Sequence, residues 1–138
     1  MPERSSTAAA GRPALPEAIV DGRVIAIARR LDPATLPAIA EALATNGIRV
    51  FEVTLNSPGA IASIRQLAAG PLADQLLVGA GTVLTVDEAA AALDAGARFL
   101  VTPHLDVDLI RWAAERGVPI LPGGFTPTEI LTAWRAGA

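Results

Sequence analysis

The sequence predicts an α/β protein whose five strand–helix units are the N-terminal five of a (β/α)₈ TIM barrel, which is therefore incomplete. Three observations support this prediction. Short apolar runs recur along the 138 residues, a helix-start signal follows each run, and a glycine follows each predicted helix. The runs are continuous rather than alternating, which is typical of strands buried on both faces of a parallel sheet. A doubly wound sheet is the alternative arrangement, and a complete barrel needs about 250 residues.

The first two units occupy the N-terminal half of the chain. A short helix is predicted near Pro16–Asp21 and a strand at Val24–Ala28. Asp32-Pro33 then opens a helix, because aspartate is a favourable N-cap and proline is favoured at the first helical position. The second strand is predicted at Val50–Leu55, and Ser57-Pro58 is predicted to cap the helix that follows.

Three further units follow the same pattern. Their strands are predicted at Leu76–Val78, Phe99–Val101 and Pro119–Leu121. Thr85–Glu88 and Thr126–Glu129 have the spacing of a capping box, and Asp106 is predicted to begin the helix between them. A glycine suited to a left-handed C-cap closes each of the five helices, at Gly47, Gly70, Gly96, Gly117 and Gly137.

The composition excludes several classes of function. The formal net charge is −3 and the eleven basic residues, all arginine, form no basic stripe, so nucleic acid is not an expected partner. With no cysteine and a single histidine, His104, we expect no metal site. Residues 1–12 contain no apolar stretch, so we interpret them as a flexible tail on a cytoplasmic protein without membrane contact, and residues 13–138 as the domain.

The candidate binding residues lie where apolar strands end, since ligands of parallel βα folds bind at the carboxyl ends of the strands. They are Arg29, Thr54, Asn56, Gly81, Thr82, Thr102, Pro103 and Gly123. The segment Gly79–Thr82 lacks side chains where backbone has to approach a ligand, although an ordinary strand-to-helix turn explains the same residues.

Glu52 is the candidate catalytic residue. It alternates with Phe51 and Val53 within a strand, so its carboxyl group is predicted to point into the barrel or onto the face of the sheet. An ionised carboxylate is costly there unless it is paired or used in chemistry. One interpretation is a buried ion pair with a nearby arginine. The other is general acid/base catalysis, with burial raising the pKa of the carboxyl group toward neutrality.

Four segments carry a family resemblance. They are Glu52-Val53-Thr54-Leu55-Asn56-Ser57-Pro58, Gly79-Ala80-Gly81-Thr82-Val83-Leu84, Val101-Thr102-Pro103 and Pro122-Gly123-x-x-Thr126-x-Thr128-Glu129. In order and spacing they resemble the 2-keto-3-deoxy-6-phosphogluconate (KDPG) aldolase family, which includes the 4-hydroxy-2-oxoglutarate (KHG) and 2-keto-3-deoxy-6-phosphogalactonate aldolases. The resemblance runs from about Val24 to Ala138.

The resemblance implies a class I aldolase. Members are homotrimeric (β/α)₈ barrels that cleave a 2-keto-3-deoxy-6-phospho sugar acid or 4-hydroxy-2-oxoglutarate to pyruvate and an aldehyde through a lysine Schiff base, without metal or cofactor. By this resemblance Glu52 shuttles protons for carbinolamine dehydration and C–C cleavage. Thr82 and the Pro103 region hold the carboxylate and carbonyl of pyruvate. A place in carbohydrate metabolism of the Entner–Doudoroff type is also implied.

Two features depart from the family pattern. Asn56 occupies the position of an arginine in the gluconate-type enzymes, and Leu55–Pro58 resembles the galactonate-type branch, so Arg29 is the candidate for binding the carboxylate. None of the 138 residues is lysine, whereas the family's Schiff-base lysine lies on the sixth strand, after the helix that here ends at Gly137-Ala138. We therefore expect a truncated chain that is inactive alone, because arginine stays protonated and forms no Schiff base.

Two other functions stay open at this point. A truncated, non-catalytic paralogue would pair with another chain and either complete a split barrel or act as an interaction subunit, because the first and fifth strands are open sheet edges. A different phosphate-binding barrel enzyme would use Gly79–Thr82 only as a turn.

Overall fold

The computed structural model describes residues 12–138, which form one parallel sheet with helices packed against it. The strands are β1 (Ala26–Ala28), β2 (Val50–Thr54), β3 (Leu77–Gly81), β4 (Leu100–Thr102) and β5 (Ile120–Pro122). The helices are α1 (Glu17–Gly22), α2 (Leu36–Thr45, preceded by a 3₁₀ turn at Pro33–Thr35), α3 (Ala60–Ala68), α4 (Val86–Asp94), α5 (Val107–Glu115) and α6 (Pro127–Ala136). Within residues 12–138, no helix combines the length and apolarity needed to cross a membrane.

The tail predicted for residues 1–12 lies outside the described residues, with the exception of Arg12. Its guanidinium group stacks on the ring of Trp134, with 3.3 Å between the guanidinium carbon and the ring centroid. The segment just before α1 therefore contacts α6, the last helix of the chain.

The order of the strands distinguishes between the two arrangements that the sequence left open. The strands pair in sequence order, β1-β2-β3-β4-β5, and every pair is parallel. In a doubly wound sheet the first strand lies inside the sheet and the order reverses beside it. Here β1 and β5 are the edges, and each of the helices α2 to α5 connects a strand to its neighbour, as in a barrel. The fold is thus five consecutive βα units of TIM-barrel type, as predicted.

The two faces of the sheet have separate apolar clusters. The larger cluster packs outward side chains of the strands, such as Phe51 and Leu100, against the helices. The smaller cluster lies on the opposite, inner face, where Ile19 of α1 packs with Val50 and Phe99. The inner face is therefore apolar toward the amino ends of the strands, which leaves the carboxyl ends for polar groups.

Local signals set the starts of three helices as predicted. Both capping boxes form, one between Thr85 and Glu88 and the other between Thr126 and Glu129. The Asp106 carboxylate accepts hydrogen bonds from two N–H groups in the first turn of α5. These caps stabilise the amino ends of α4, α5 and α6, and they fix the loops that follow β3, β4 and β5.

The prediction that Ser57-Pro58 caps a helix is wrong. Helix α3 begins at Ala60, and its N-cap is Gly59, which has a φ of +69° and offers no side-chain cap. The Ser57 hydroxyl group instead accepts a hydrogen bond from the Arg30 N–H group at 2.8 Å, in the loop after β1. A partner that is distant in the sequence takes the hydroxyl group, and the helix starts without it.

The prediction that a glycine of positive φ follows each helix is correct for four of the five glycines and wrong for Gly70. As predicted, φ is positive at Gly47, Gly96, Gly117 and Gly137. Gly70 has no positive φ, because the chain leaves α3 in a hydrogen-bonded turn in which the Ala73 N–H group donates to the Gly70 carbonyl group at 3.0 Å. Strand β3 also extends to Gly81 rather than ending at Val78, since backbone pairing with β2 needs no apolar side chain.

Candidate active site

Glu52 lies at the centre of the inner face. It is on β2, in register with Ile27 of β1 and Gly79 of β3, and only 4% of the residue is exposed. Burial raises the pKa of its carboxyl group above the ordinary value of 4.5, and the positive charge of Arg29 has a smaller, opposing effect. A carboxyl group with a raised pKa exchanges its proton closer to neutral pH, as a general acid/base requires.

Gly81 of β3 provides the space for this carboxyl group. A Cβ atom at residue 81 would overlap Oε1 of Glu52 and would stand 2.8 Å from its Cγ. The absence of a side chain at Gly81 is therefore a requirement of the Glu52 position. The sequence suggested Gly81 as a point of close ligand approach; the structure shows that the near neighbour within this chain is the catalytic candidate itself.

Arg29 and Thr82 extend the same cluster across the ends of β1 and β3. Nη2 of Arg29 donates a hydrogen bond to Oγ1 of Thr82 at 3.2 Å, although the two residues are 53 positions apart. Arg29 is exposed, and it does not approach the Glu52 carboxylate within the 4.0 Å of an ion pair. Its guanidinium group therefore acts on Glu52 through space and presents donors suited to a carboxylate ligand. Glu52 is not simply the buried half of an ion pair.

Thr54 and Asn56 follow Glu52 but differ in environment. Thr54 is fully buried, and its hydroxyl group contacts the Ala28 carbonyl group at 3.3 Å and the Ser57 hydroxyl group at 2.9 Å. Asn56 is exposed at the end of the same strand. Their role in substrate binding stays a prediction. The residue that sequence reasoning misplaced in this region is Ser57, whose only local signal was that of a helix cap.

Thr102, Pro103 and Gly123 form a second cluster at the ends of β4 and β5. The buried Thr102 donates its hydroxyl proton to the His104 carbonyl group at 2.5 Å, and its own carbonyl group accepts the Gly123 N–H group at 2.8 Å. A Cβ atom at Gly123 would overlap the Pro103 carbonyl group. This cluster borders a cavity of about 280 Å³. It lies at the same end of the sheet as Glu52, where the strands have their carboxyl ends.

The polar groups at these strand ends suit an organic anion. Glu52 is the carboxylate of the first cluster, Arg29 is its cation, and Thr82 supplies a hydroxyl group. Among residues 12–138, no three side chains of histidine, aspartate or glutamate come together as a set of metal ligands.

A parallel βα sheet of barrel type, with a buried carboxyl group of raised pKa and an arginine toward the carboxyl ends of its strands, has the features typical of an enzyme site. Residues 16–138 match the family model described as KDPG and KHG aldolase. The chain belongs to this family.

Individual relatives agree with this assignment. The chain is 41% identical over 115 residues to a probable 2-dehydro-3-deoxy-6-phosphogalactonate aldolase of Rhizobium meliloti, covering 83% of this chain and 54% of the relative. It is 42% identical over 114 residues to a 2-dehydro-3-deoxy-phosphogluconate aldolase of Pseudomonas aeruginosa, covering 83% and 50%. Its fold matches the native structure of a protein designated KDPGal with a TM-score of 0.78 and 37% identity, covering 83% of this chain and 55% of that one.

The chain thus spans about half the length of the curated relatives it matches. The matched half contains the proposed acid/base residue and the strand ends around it.

Proposed function

We propose that this chain forms the proton-transfer and carboxylate-binding half of a class I aldolase site. The reaction would cleave a 2-keto-3-deoxy-6-phospho sugar acid, or 4-hydroxy-2-oxoglutarate, to pyruvate and an aldehyde. The observation that supports it most is Glu52, a buried carboxyl group of raised pKa beside Arg29 and Thr82 at the carboxyl ends of the strands.

In this proposal Glu52 serves each proton-transfer step in turn. As an acid it protonates the departing hydroxyl group when the carbinolamine loses water. As a base it then takes the proton of the C4 hydroxyl group while the C3–C4 bond breaks. The electron pair of that bond moves to the iminium nitrogen. The same proton returns to C3 of the resulting enamine, which forms the pyruvate iminium and leaves Glu52 ionised. Glu52 then takes a proton from the water that attacks the iminium carbon, so the residue ends each cycle protonated, as it began. Arg29 would hold the substrate carboxylate through charge-assisted hydrogen bonds.

The nucleophilic amine has to come from a residue that is not among these 138, since none of them is lysine. Arginine does not substitute, because its guanidinium group stays protonated. By the family resemblance, that lysine would lie on a sixth strand, next to β5. We therefore propose that the 138-residue chain releases no pyruvate by itself. A homotrimer, a cytoplasmic location and a place in Entner–Doudoroff-type metabolism are carried over from the family as further proposals.

The substrate branch is not decided by overall similarity, because the galactonate-type and gluconate-type relatives are 41% and 42% identical to the chain. The local sequence favours the galactonate type, since Asn56 stands where gluconate-type enzymes have an arginine. Because Asn56 is uncharged, Arg29, whose positive charge acts on the pKa of Glu52, is the cation that would bind the substrate carboxylate.

A titration of the chain with pyruvate, followed by ¹⁵N NMR, tests the binding part of the proposal. We expect shifts of the Gly81 and Thr82 amide signals that saturate with pyruvate concentration. Arg29→Gln is expected to weaken binding roughly 10- to 100-fold, the effect of losing a charge-assisted hydrogen bond of about 1.5–3 kcal/mol. Arg111→Gln is the matched control, because Arg111 lies on α5 beside Asp108. Equal affinities of the wild-type chain and Arg29→Gln would contradict the assignment.

A second function, a non-catalytic subunit that pairs with another chain, is supported by the apolar edges of the sheet. At the β1 edge, Val24 and Ile27 are 48% and 59% exposed. Beside β5 there is an apolar cavity of about 520 Å³ whose lining includes Leu121, Ile130 and Trp134. Light scattering with thermal unfolding tests this proposal. A monomeric chain that stays soluble and unfolds cooperatively would contradict it.

A further inference from the structure

Two hydroxyl groups at the end of β2 are bonded to the backbone on both sides of Arg29. Oγ1 of Thr54 donates to the Ala28 carbonyl group at 3.3 Å, and Oγ of Ser57 accepts from the Arg30 N–H group at 2.8 Å. The two hydroxyl oxygens are 2.9 Å apart. The residues before and after Arg29 are thus connected through one short chain of hydrogen bonds.

The direction of each hydrogen bond in this series follows from the number of hydroxyl protons that are available. A hydroxyl group has one proton to donate, and that of Thr54 goes to the Ala28 carbonyl group. The Ser57 hydroxyl group therefore donates to Thr54 and accepts from the Arg30 N–H group. Every donor has an acceptor, so the arrangement requires a hydroxyl group at both positions.

The backbone that these hydrogen bonds hold has an unfavourable φ angle at Arg30. Arg30 has a φ of +54°, in the left-handed region that residues with a side chain rarely adopt. The hydrogen bond from its N–H group to Ser57 stabilises that conformation. Arg29, the residue before Arg30, donates from its guanidinium group to Thr82, which is itself a non-glycine residue of positive φ, at +55°. The side chain of Arg29 therefore connects the strained turn at Arg30 to the strained residue Thr82.

We propose that Ser57 and Thr54 are positioning residues, which hold the backbone around Arg29 so that its guanidinium group stands at Thr82 and faces the substrate carboxylate. The part of this inference that concerns the substrate rests on the proposed function. The placement of Arg29 does not, because it is a property of the free chain.

The test follows the position of the Arg29 guanidinium group through its effect on the pKa of Glu52. Burial and the Arg29 charge are the two influences on the Glu52 pKa, and Arg29 lowers it. If Ser57→Ala releases Arg29, the pKa of Glu52 increases, which a ¹³C NMR titration of labelled glutamate carboxyl groups records. In the Arg29→Gln background, Ser57→Ala is expected to add no further increase. Ser57→Thr keeps the hydroxyl group and is expected to restore the wild-type pKa.

A loss of unfolding free energy that leaves Arg29 in place would not change this pKa, so the readout separates a positioning role from a merely structural one. Thr132→Ala is the matched control, because it deletes a hydroxyl group that donates to the Thr128 carbonyl group on α6, which follows β5, whereas Glu52 is on β2. Thr54→Val removes the other hydroxyl group with little change in volume, and it decides the question if Ser57→Ala does not fold.

Pyruvate affinity is the second readout. We expect Ser57→Ala to weaken pyruvate binding about 3- to 10-fold, less than Arg29→Gln does. An unchanged Glu52 pKa in both Ser57→Ala and Thr54→Val would overturn the proposal. If the wild-type chain binds no pyruvate, the proposed function fails, and the pKa titration still decides whether Ser57 positions Arg29.

Discussion

The carboxyl group of Glu52 occupies the space that a side chain at Gly81 would fill. Their strands are neighbours, and a Cβ atom at residue 81 would overlap Oε1 of the glutamate. A glycine on one strand and a buried acid on the next are thus one structural unit. The position of the acid, and through it the chemistry proposed for this chain, depends on an absent side chain.

Gly81→Ala tests that unit. The added methyl group forces the Glu52 side chain out of its position or separates β2 from β3, and overpacking of this kind costs about 1–3 kcal/mol of unfolding free energy. Urea denaturation measures the loss. Gly22→Ala is the control, since a Cβ atom there meets nothing within 4 Å, and we expect a change within about 0.5 kcal/mol. Equal stabilities of the two variants would contradict the overlap.

Glu52→Gln is expected to change how stability depends on pH. Burial raises the folded-state pKa above the ordinary 4.5, so the folded chain holds the proton more tightly than the unfolded chain does. The stability contributed by this group is complete below pH 4.5 and is lost as the pH rises through the folded-state pKa. Glutamine does not titrate. The variant should therefore gain stability relative to wild type as the pH rises, in urea unfolding between pH 4 and pH 8. A difference that is constant with pH would contradict the raised pKa.

Phe99→Ala tests the apolar part of the inner face. The Phe99 ring is fully buried and fills the space above Gly79, where a Cβ atom would overlap it. Removing such a side chain leaves a cavity and costs about 3–5 kcal/mol. Phe125→Ala is the matched control, because Phe125 is 99% exposed, and it should alter the unfolding free energy by no more than about 0.5 kcal/mol. Comparable losses in both variants would show that Phe99 does not anchor this face.

Glu129→Gln tests the cap of α6 at acidic pH. Hydrogen bonds from the Phe125 N–H group, the Thr126 hydroxyl group and the Thr126 N–H group lower the pKa of Glu129 below its ordinary 4.5. The stabilisation from its ionised form is present above pH 4.5 and is lost as the pH falls through the folded-state pKa. Wild type should therefore be more thermostable than the variant at neutral pH, and the two melting temperatures should converge in acid. Parallel melting curves at every pH would be the contrary result.

The elements that the sequence predicted correctly depend on neighbours in the chain. Thr126 and Glu129 are three residues apart, so their capping box is visible in the sequence and is present in the structure. The burial of Glu52 was likewise readable from its place between Phe51 and Val53. The strand–helix order is the same in a barrel and in a doubly wound sheet, so the choice of the barrel depended on the family resemblance.

The features that the sequence did not predict involve residues far apart. Ser57 has the local pattern of a cap, but its hydroxyl group bonds Arg30, 27 positions away. Arg29 and Thr82 were both chosen as strand-end residues, while their direct hydrogen bond depends on the pairing of β1, β2 and β3. Which of several possible partners a polar side chain takes is decided by the fold as a whole.

The most direct measurement is pyruvate release by a chimera. This chain would be fused at Ala138 to the part of the Rhizobium meliloti relative that follows its matched region, which by the family resemblance supplies the lysine. A coupled lactate dehydrogenase assay with 2-keto-3-deoxy-6-phosphogalactonate measures turnover. We predict turnover by the chimera, a loss of roughly 10²- to 10⁴-fold in its Glu52→Gln variant, little change in Glu41→Gln, and none from the 138-residue chain alone. Pyruvate release by that chain alone, or a chimera whose rate is unaffected by Glu52→Gln, would contradict the account.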